Sequence, residues 1–163
     1  MPHASLTPHH FEVLSNSHNI QFFHCEEPDL NNYLHTQALW KTNHNLARTF
    51  VCIDEIVPFS DSVIGYFTLR AGGWQSSPTD FIPAVEIAYL AHHQARKGDD
   101  WGNVLLSEAC AKVVEVGERI GVRGVYLFPI SQKSRIFYAA FGFRPLPSQL
   151  NVMFMLLSDI PPL

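Results

Sequence analysis

The stretch AVEIAYLAHHQARKGDDWGNVLLSEACAKVVEVGERIGVRGVYLFPI constrains the fold more than any other part of the chain. It opens with a strand-like run, Ala84 to His93, in which Ala84, Glu86, Ala88, Leu90 and His92 share a face. The loop ARKGDDWG follows. A long helix is then predicted from Gly102 to Ile120, with Leu105, Ala109, Val113, Val116 and Ile120 as its apolar stripe. Glu108, Lys112, Glu115 and Arg119 lie opposite, and Gly121 sits where a C-cap glycine belongs. GVYLFPI, Gly124 to Ile130, then reads as a buried strand. Strand, helix and strand in this order bury their apolar faces as a sheet layered with helices, which is the α/β class.

The flanking segments extend this pattern. PDLNNYLHTQALWKTNHN predicts a helix from Pro28 to about Asn45, with Leu30, Tyr33, Leu34, Ala38 and Lys41 along one face and proline in the first turn. RTFVCID (Arg48–Asp54) and SVIGYFTLRA (Ser62–Ala71), separated by the turn-like VPFSD, read as a hairpin. GGWQSSPTDFIP reads as a loop from its Gly, Ser and Pro content. SRIFYAAFG is expected to be a short helix closed by Gly142, and NVMFMLLSDI a last strand. The expected order is α-β-β-β-α-β-α-β in a single mixed-sheet domain over residues 1–163, with about the first 19 residues peripheral.

Composition narrows the function classes. The 163 residues, 47% hydrophobic and 16% charged, suit one globular domain with a sizeable core. A net charge of −4 gives no global attraction to nucleic acid, although eight of the eleven Lys and Arg lie from Arg96 onward. Arg119, Arg123, Lys133, Arg135 and Arg144 are the candidates for a local basic patch. Three widely spaced cysteines, Cys25, Cys52 and Cys110, fit a reducing compartment better than a disulfide framework. No HExxH or paired-Cys spacing points to a metal. The opening MPHASLTPHHFEVL lacks the basic and apolar regions of a signal peptide, and no apolar run reaches the ~20 residues needed to span a bilayer. The expectation is a cytoplasmic protein with no membrane partner.

A Gly-containing loop opening a helix is a natural anion site, because unpaired amide N–H groups and the helix dipole both face the ligand. Here the strand EIAYLAHH precedes the loop ARKGDDWG, and FYAAFGF (Phe137–Phe143) stands about 36 residues further on. Together they resemble the GNAT acyl-CoA N-acetyltransferases, whose signature Phe-Tyr-x-x-x-Gly-Phe is matched by FYAAFGF. The loop fits the family pattern Arg/Gln-x-x-Gly-x-Gly/Ala with changes. Lys97 stands for Arg/Gln, Asp100 for the first motif glycine, and Gly102 is kept, with Gly98 where many members also carry glycine. FFHCEEPDLNNYLHTQALWKTNHNLARTFVC, GERIGVRGVYLFPIS and NVMFMLLSDI are similar to a narrower branch, the GNAT toxins that acetylate the amino acid on aminoacyl-tRNA. In that branch the matched positions are Cys25, Leu30, Tyr33, Leu34 and Ala47 to Val51.

The resemblance implies a mixed, mostly antiparallel sheet splayed between strands four and five and flanked by helices. It implies acetyl-CoA as co-substrate and direct attack by a primary amine in a ternary complex. Tyr138 would serve the departing thiolate, and a backbone N–H near Leu90 would face the developing oxyanion. Leu90, Ala91, His92, Lys97, Gly98, Asp99, Asp100, Trp101 and Gly102 would hold acetyl-CoA, with Ser131 near the pantetheine arm. Asp99 or Asp100 can cap the helix, and Arg96 and Lys97 can return positive potential to the loop.

The acceptor stays open at this level. Glu86 lies fourteen residues before Asp100, the spacing of the base in lysine-acetylating members, but a strand glutamate can equally pair with an Arg or Lys. The toxin branch tends to carry an arginine where Tyr89 stands and basic residues in the loop here written GGWQSSPTDF. Three readings follow: a toxin acting on aminoacyl-tRNA, with a ribbon-helix-helix antitoxin and a possible homodimer; a small-molecule or protein-lysine acetyltransferase using Glu86; and a non-catalytic GNAT-fold binding module, for which Asp100 is the motive.

Overall fold

The computed structural model describes residues 6–56, 63–96 and 100–162. The VPFSD turn and Lys97, Gly98 and Asp99 lie outside them. Seven strands alternate with helices: β1 (His9–Val13), α1 (Pro28–Thr36), α2 (Ala38–Asn43), β2 (Arg48–Asp54), β3 (Val63–Ser77), β4 (Asp80–His92), α3 (Trp101–Arg119), β5 (Gly124–Leu127), α4 (Gln132–Phe141), β6 (Arg144–Leu146) and β7 (Gln149–Leu156). The sheet order is β1-β2-β3-β4-β5-β7-β6. β4 and β5 are parallel, whereas β1–β2, β5–β7 and β6–β7 are antiparallel. The parallel register comprises two pairs, Val85↔Val125 and Glu86↔Tyr126, and β4 continues past it to His92.

The chain forms two compact units that share β3, β4 and α3: residues 1–68 with 89–106, and residues 69–88 with 107–163. In the first, Leu30, Tyr33, Leu34 and Ala38 of the two short helices pack with Val51, Val63, Tyr66 and Ala91. These are the face residues expected from the sequence, but the helix they share is broken at Gln37, whose φ of −127° leaves the helical range. The two helices remain in register across the break, because the Gln37 N–H donates to the Tyr33 carbonyl and its own carbonyl accepts from Lys41. Asn45, at φ 58°, ends α2 in the left-handed conformation that asparagine tolerates. Several polar groups inside this unit are paired, whereas among the described residues the Tyr33 hydroxyl and Trp101 Nε1 are buried without a hydrogen-bond partner. The Asn31 amide bonds both N–H and C=O of Cys25, and the Thr49 and Thr68 hydroxyls meet at 2.7 Å.

In the second unit Trp74, Ala84, Tyr126, Leu146, Val152 and Phe154 form the buried cluster. GGWQSSPTDFIP is not a loop here. β3 runs on to Ser77 and β4 begins at Asp80, leaving only Pro78 and Thr79 in the turn. The glycines serve close approach rather than bending. A Cβ on Gly72 would lie 2.1 Å from the Tyr126 hydroxyl, and one on Gly73 would lie 2.1 Å from the Ile82 carbonyl. α3 ends at Arg119, one residue short of the expected end, so Ile120 lies beyond the stripe and is 64% exposed. Gly121 does not take the positive φ of a C-cap glycine. β5 stops at Leu127, three residues before its expected end, leaving Phe128 and Ile130 exposed. β1, at the sheet edge, and β6 add two strands to the expected order.

Candidate active site

The candidate residues fall into two groups, one in each unit. In the first, β4 delivers Leu90, Ala91 and His92 toward the segment that opens α3. Ala91 is buried, and Leu90 and His92 are half-buried. Beyond the strand, the His93 N–H donates to the Ile64 carbonyl and the Gln94 N–H to the His24 carbonyl. His93 Nδ1 accepts from the Ala95 N–H, which leaves Nε2–H to donate to the Phe22 carbonyl at 3.1 Å.

α3 starts at Trp101, and the Asp100 carbonyl accepts the Val104 N–H as a residue at the N-cap position does. Asp100 has φ 57°, in the left-handed region. Aspartate is among the few residues other than glycine that tolerate this region, so Asp100 suits its backbone at a position where the resembled pattern has glycine. Asp100 is exposed, and Gly102 follows inside the first helical turn. Lys97, Gly98 and Asp99 lie outside the described residues.

Arg96 does not contribute free positive potential to this segment. Its guanidinium is paired with the buried Asp54 carboxylate and also reaches Thr7 Oγ1. Burial raises the Asp54 pKa, but the Ile56 N–H and the guanidinium outweigh it and hold the carboxyl below its ordinary value. A carboxylate depressed in the folded state contributes stability above its unfolded pKa and loses it as pH falls through the folded one. The Asp54–Arg96 pair is therefore intact throughout the neutral range.

An acetyl-CoA titration of Asp100→Gly reads this segment directly. If the segment holds a pyrophosphate, as the resemblance implies, the substitution removes a carboxylate near it as well as a non-glycine left-handed residue. Binding is expected to tighten about threefold to tenfold, the exposure of Asp100 screening much of the charge effect. Weaker binding by the glycine variant would show that the carboxylate helps to hold the ligand.

The second unit carries Tyr138, Ser131 and Glu86. α4 begins with a capping box. The Ser131 hydroxyl accepts the Ser134 N–H at 3.1 Å, and the Ser134 hydroxyl accepts the Ser131 N–H at 3.0 Å. The Ser131 oxygen, expected near a pantetheine arm, is thus also a structural cap. At the other end Gly142 has φ 131°, and both its N–H and that of Phe143 donate to the Tyr138 carbonyl. This turn brings Phe143 back edge-on to the Tyr138 ring, with centroids 5.7 Å apart, and Phe137 flanks it at 5.1 Å. The spacing of FYAAFGF is therefore a helix, its glycine terminator and a returning aromatic. Burial pushes the Tyr138 phenol well above its ordinary pKa, so it stays protonated at all physiological pH.

Glu86 is 6% exposed and is not free. Arg70 on β3 donates to both its oxygens, Nε to Oε2 at 2.6 Å and Nη2 to Oε1 at 3.1 Å. Tyr126, the register partner of Glu86, turns its hydroxyl to accept the Gly73 N–H at 3.1 Å. Arg70 and Tyr126 were not singled out in the sequence. The available signal was weak: Arg70 follows the buried run Val63 to Leu69 on its strand and is itself exposed, so nothing in the sequence demands its partner.

The fold is that of the GNAT acetyltransferases, and the solved structures it resembles include toxins of toxin–antitoxin pairs. The toxin AtaT complexed with acetyl-methionyl-tRNAfMet has a TM-score of 0.83 at 23% identity, over 93% of this chain and 96% of that one. A Tyr-to-Phe variant of AtaT bound to the C-terminus of the antitoxin AtaR and to acetyl-CoA has a TM-score of 0.81 at 24% identity, over 93% and 94%. In sequence the chain is similar to the tRNA-acetylating toxin of Mycobacterium tuberculosis (strain ATCC 25618 / H37Rv), 25% identical across 90% of each chain. No family model matches.

Proposed function

We propose that this protein is an acetyl-CoA-dependent N-acetyltransferase whose acceptor is the α-amino group of an aminoacyl-tRNA, acting as the toxin of a toxin–antitoxin pair in the cytoplasm. Similarity to a tRNA-acetylating toxin over nine-tenths of both chains supports the class. The Glu86–Arg70 pair carries the choice of acceptor. Both Glu86 oxygens are occupied by the Arg70 guanidinium, so in this reading Glu86 is an ion-pair partner rather than a base. Lysine, with a pKa near 10.4, needs such a base; an α-amino group, at about 7.8, is already about one-third neutral at pH 7.5.

In this reading acetyl-CoA supplies the thioester that the neutral amine attacks. The residues from Leu90 to His92 orient the acetyl end, with an N–H near Leu90 toward the carbonyl oxygen. The segment from Lys97 to Gly102 holds the pyrophosphate, and Ser131 lies beside the pantetheine arm. The Tyr138 hydroxyl donates to the departing sulfur. Exposed Arg119, Arg123 and Lys133 meet tRNA phosphates. A ribbon-helix-helix antitoxin is the protein partner that this reading implies. No helix among the described residues is long and apolar enough to cross a membrane.

The pH dependence of Glu86→Gln tests the choice. With charged tRNA as acceptor, kcat/KM is expected within about threefold of the parent, and the acidic limb of the profile should keep its position. Loss of general-base catalysis costs about 10²–10⁴-fold. A fall of that size with disappearance of the acidic limb, in a variant that still melts cooperatively, would reinstate Glu86 as the base.

A further inference from the structure

No Asp or Glu occurs between Asp29 and Asp54, in a chain whose net charge is −4. Within that interval α2 and the turn after it carry Trp40, Lys41, His44 and Arg48 in one short span. Trp74 and Trp101 are buried, whereas Trp40 is 56% exposed. His44, four residues on, stacks against the indole with centroids 4.2 Å apart and planes 25° from parallel. The His44 ring is held in turn by Nδ1–H, which donates to the Trp40 carbonyl at 2.8 Å. Arg48 is exposed, and two hydrogen bonds orient its guanidinium: Nη1 to the Thr42 carbonyl at 3.2 Å and Nη2 to Asn45 Oδ1 at 3.0 Å. Asn45 is the residue whose left-handed φ of 58° ends α2. Lys41 lies over the Tyr33 ring, its Nζ 5.7 Å from the centroid.

We propose that Trp40, backed by His44, is a stacking site for an unpaired base of the acceptor RNA, and that Arg48 takes the neighbouring phosphate. The proposal rests on the tRNA acceptor given under Proposed function. Proteins hold single-stranded RNA by laying its bases on aromatic rings and tracking its backbone with cations. Both parts are present here. His44 covers one face of the indole and fixes its plane, so a base meets a pre-set surface and less freedom is lost on binding. Two of the Arg48 N–H groups are used within the chain, and those bonds fix the plane of the donors that remain. With no carboxylate from Leu30 to Ile53, this stretch lacks the like-charge repulsion that the rest of an acidic chain offers a phosphate. A base inside a duplex is stacked on both sides, so the site selects the unpaired 3′ end of a charged tRNA over its stems.

The test follows the full-length protein by tryptophan fluorescence and equilibrium binding, with deacylated tRNA, a single-stranded RNA oligonucleotide ending in CCA and a blunt RNA duplex as probes. In the parent, tRNA and the oligonucleotide are expected to quench the exposed indole, a signal that Trp40→Phe removes. Trp40→Ala should raise Kd for both about tenfold and Trp40→Phe at most about threefold, with duplex binding unchanged by either. Both variants should melt as the parent does, because the side chain is exposed. Arg48→Gln should lower the slope of log Kd against log salt by about one. With charged tRNA as acceptor, Trp40→Ala should raise the tRNA KM about tenfold and leave the acetyl-CoA KM within about twofold. An unchanged oligonucleotide Kd in Trp40→Ala, equal losses on the duplex, or a parent that binds neither single-stranded probe at low salt overturns the stacking site. A changed mass in solution with RNA affinity intact also overturns it, and assigns Trp40 to a contact between protein chains. Quenching by the oligonucleotide without acetylation of charged tRNA would instead overturn the functional reading and leave the RNA site standing.

Discussion

Tyr138→Phe is expected to lower turnover at least tenfold while leaving the acetyl-CoA Kd within about twofold. The substitution removes one oxygen and keeps the ring, so the edge-on contacts to Phe137 and Phe143 that seat the side chain survive. What is lost is a hydrogen that burial keeps on the phenol well beyond its ordinary pKa. Coenzyme A leaves as a thiolate, and a donor placed at its sulfur stabilises charge that exists only as the bond breaks. Such an interaction appears in kcat rather than in ground-state binding. With its pKa raised, the phenol gives the thiolate a hydrogen bond rather than its proton. Deleting one donor to developing charge costs up to about 10²–10³-fold, and a thiolate, already a fair leaving group, places the expectation below that. An unaltered rate, measured by single turnover so that product release does not mask the chemistry, would remove Tyr138 from the mechanism.

The parts of the site legible in sequence are those whose local backbone geometry demands particular residues. FYAAFGF announces a helix, its terminator and a returning aromatic, because only glycine adopts a φ of 131° without strain. The apolar face of Leu30, Tyr33, Leu34 and Ala38 is equally plain, since burial follows the helical period. The break at Gln37 left no proline or glycine to betray it. Gly72 and Gly73 misled for the opposite reason. They resemble a turn in isolation, but they are small because the Tyr126 hydroxyl and the Ile82 carbonyl occupy the space where their Cβ atoms would be. Such a contact is invisible until the strands are paired. The same holds for the partners of charged groups. Glu86 alone could be a base or half of an ion pair, and only the bidentate geometry of Arg70 favours the second. Arg96 beside a glycine loop looks like a phosphate ligand until Asp54, forty-two residues earlier, is found holding it.

The largest selectivity follows from the absence of a free base at Glu86. An amine that is about one-third neutral at pH 7.5 has roughly a 250-fold advantage in reactive fraction over a lysine, of which about one molecule in 800 is neutral. Deacylated tRNA offers no primary aliphatic amine at its 3′ end, so the amino acid itself must carry the product. Acetyl transfer from labelled acetyl-CoA, at matched concentrations of charged tRNA, deacylated tRNA, a lysine peptide and a polyamine, tests this most directly. The account predicts that label enters charged tRNA at least about a hundredfold faster than any other acceptor and is released as N-acetyl-amino acid by mild alkali, which cleaves the ester. Label entering the lysine peptide or the polyamine while charged tRNA stays unmodified would contradict it.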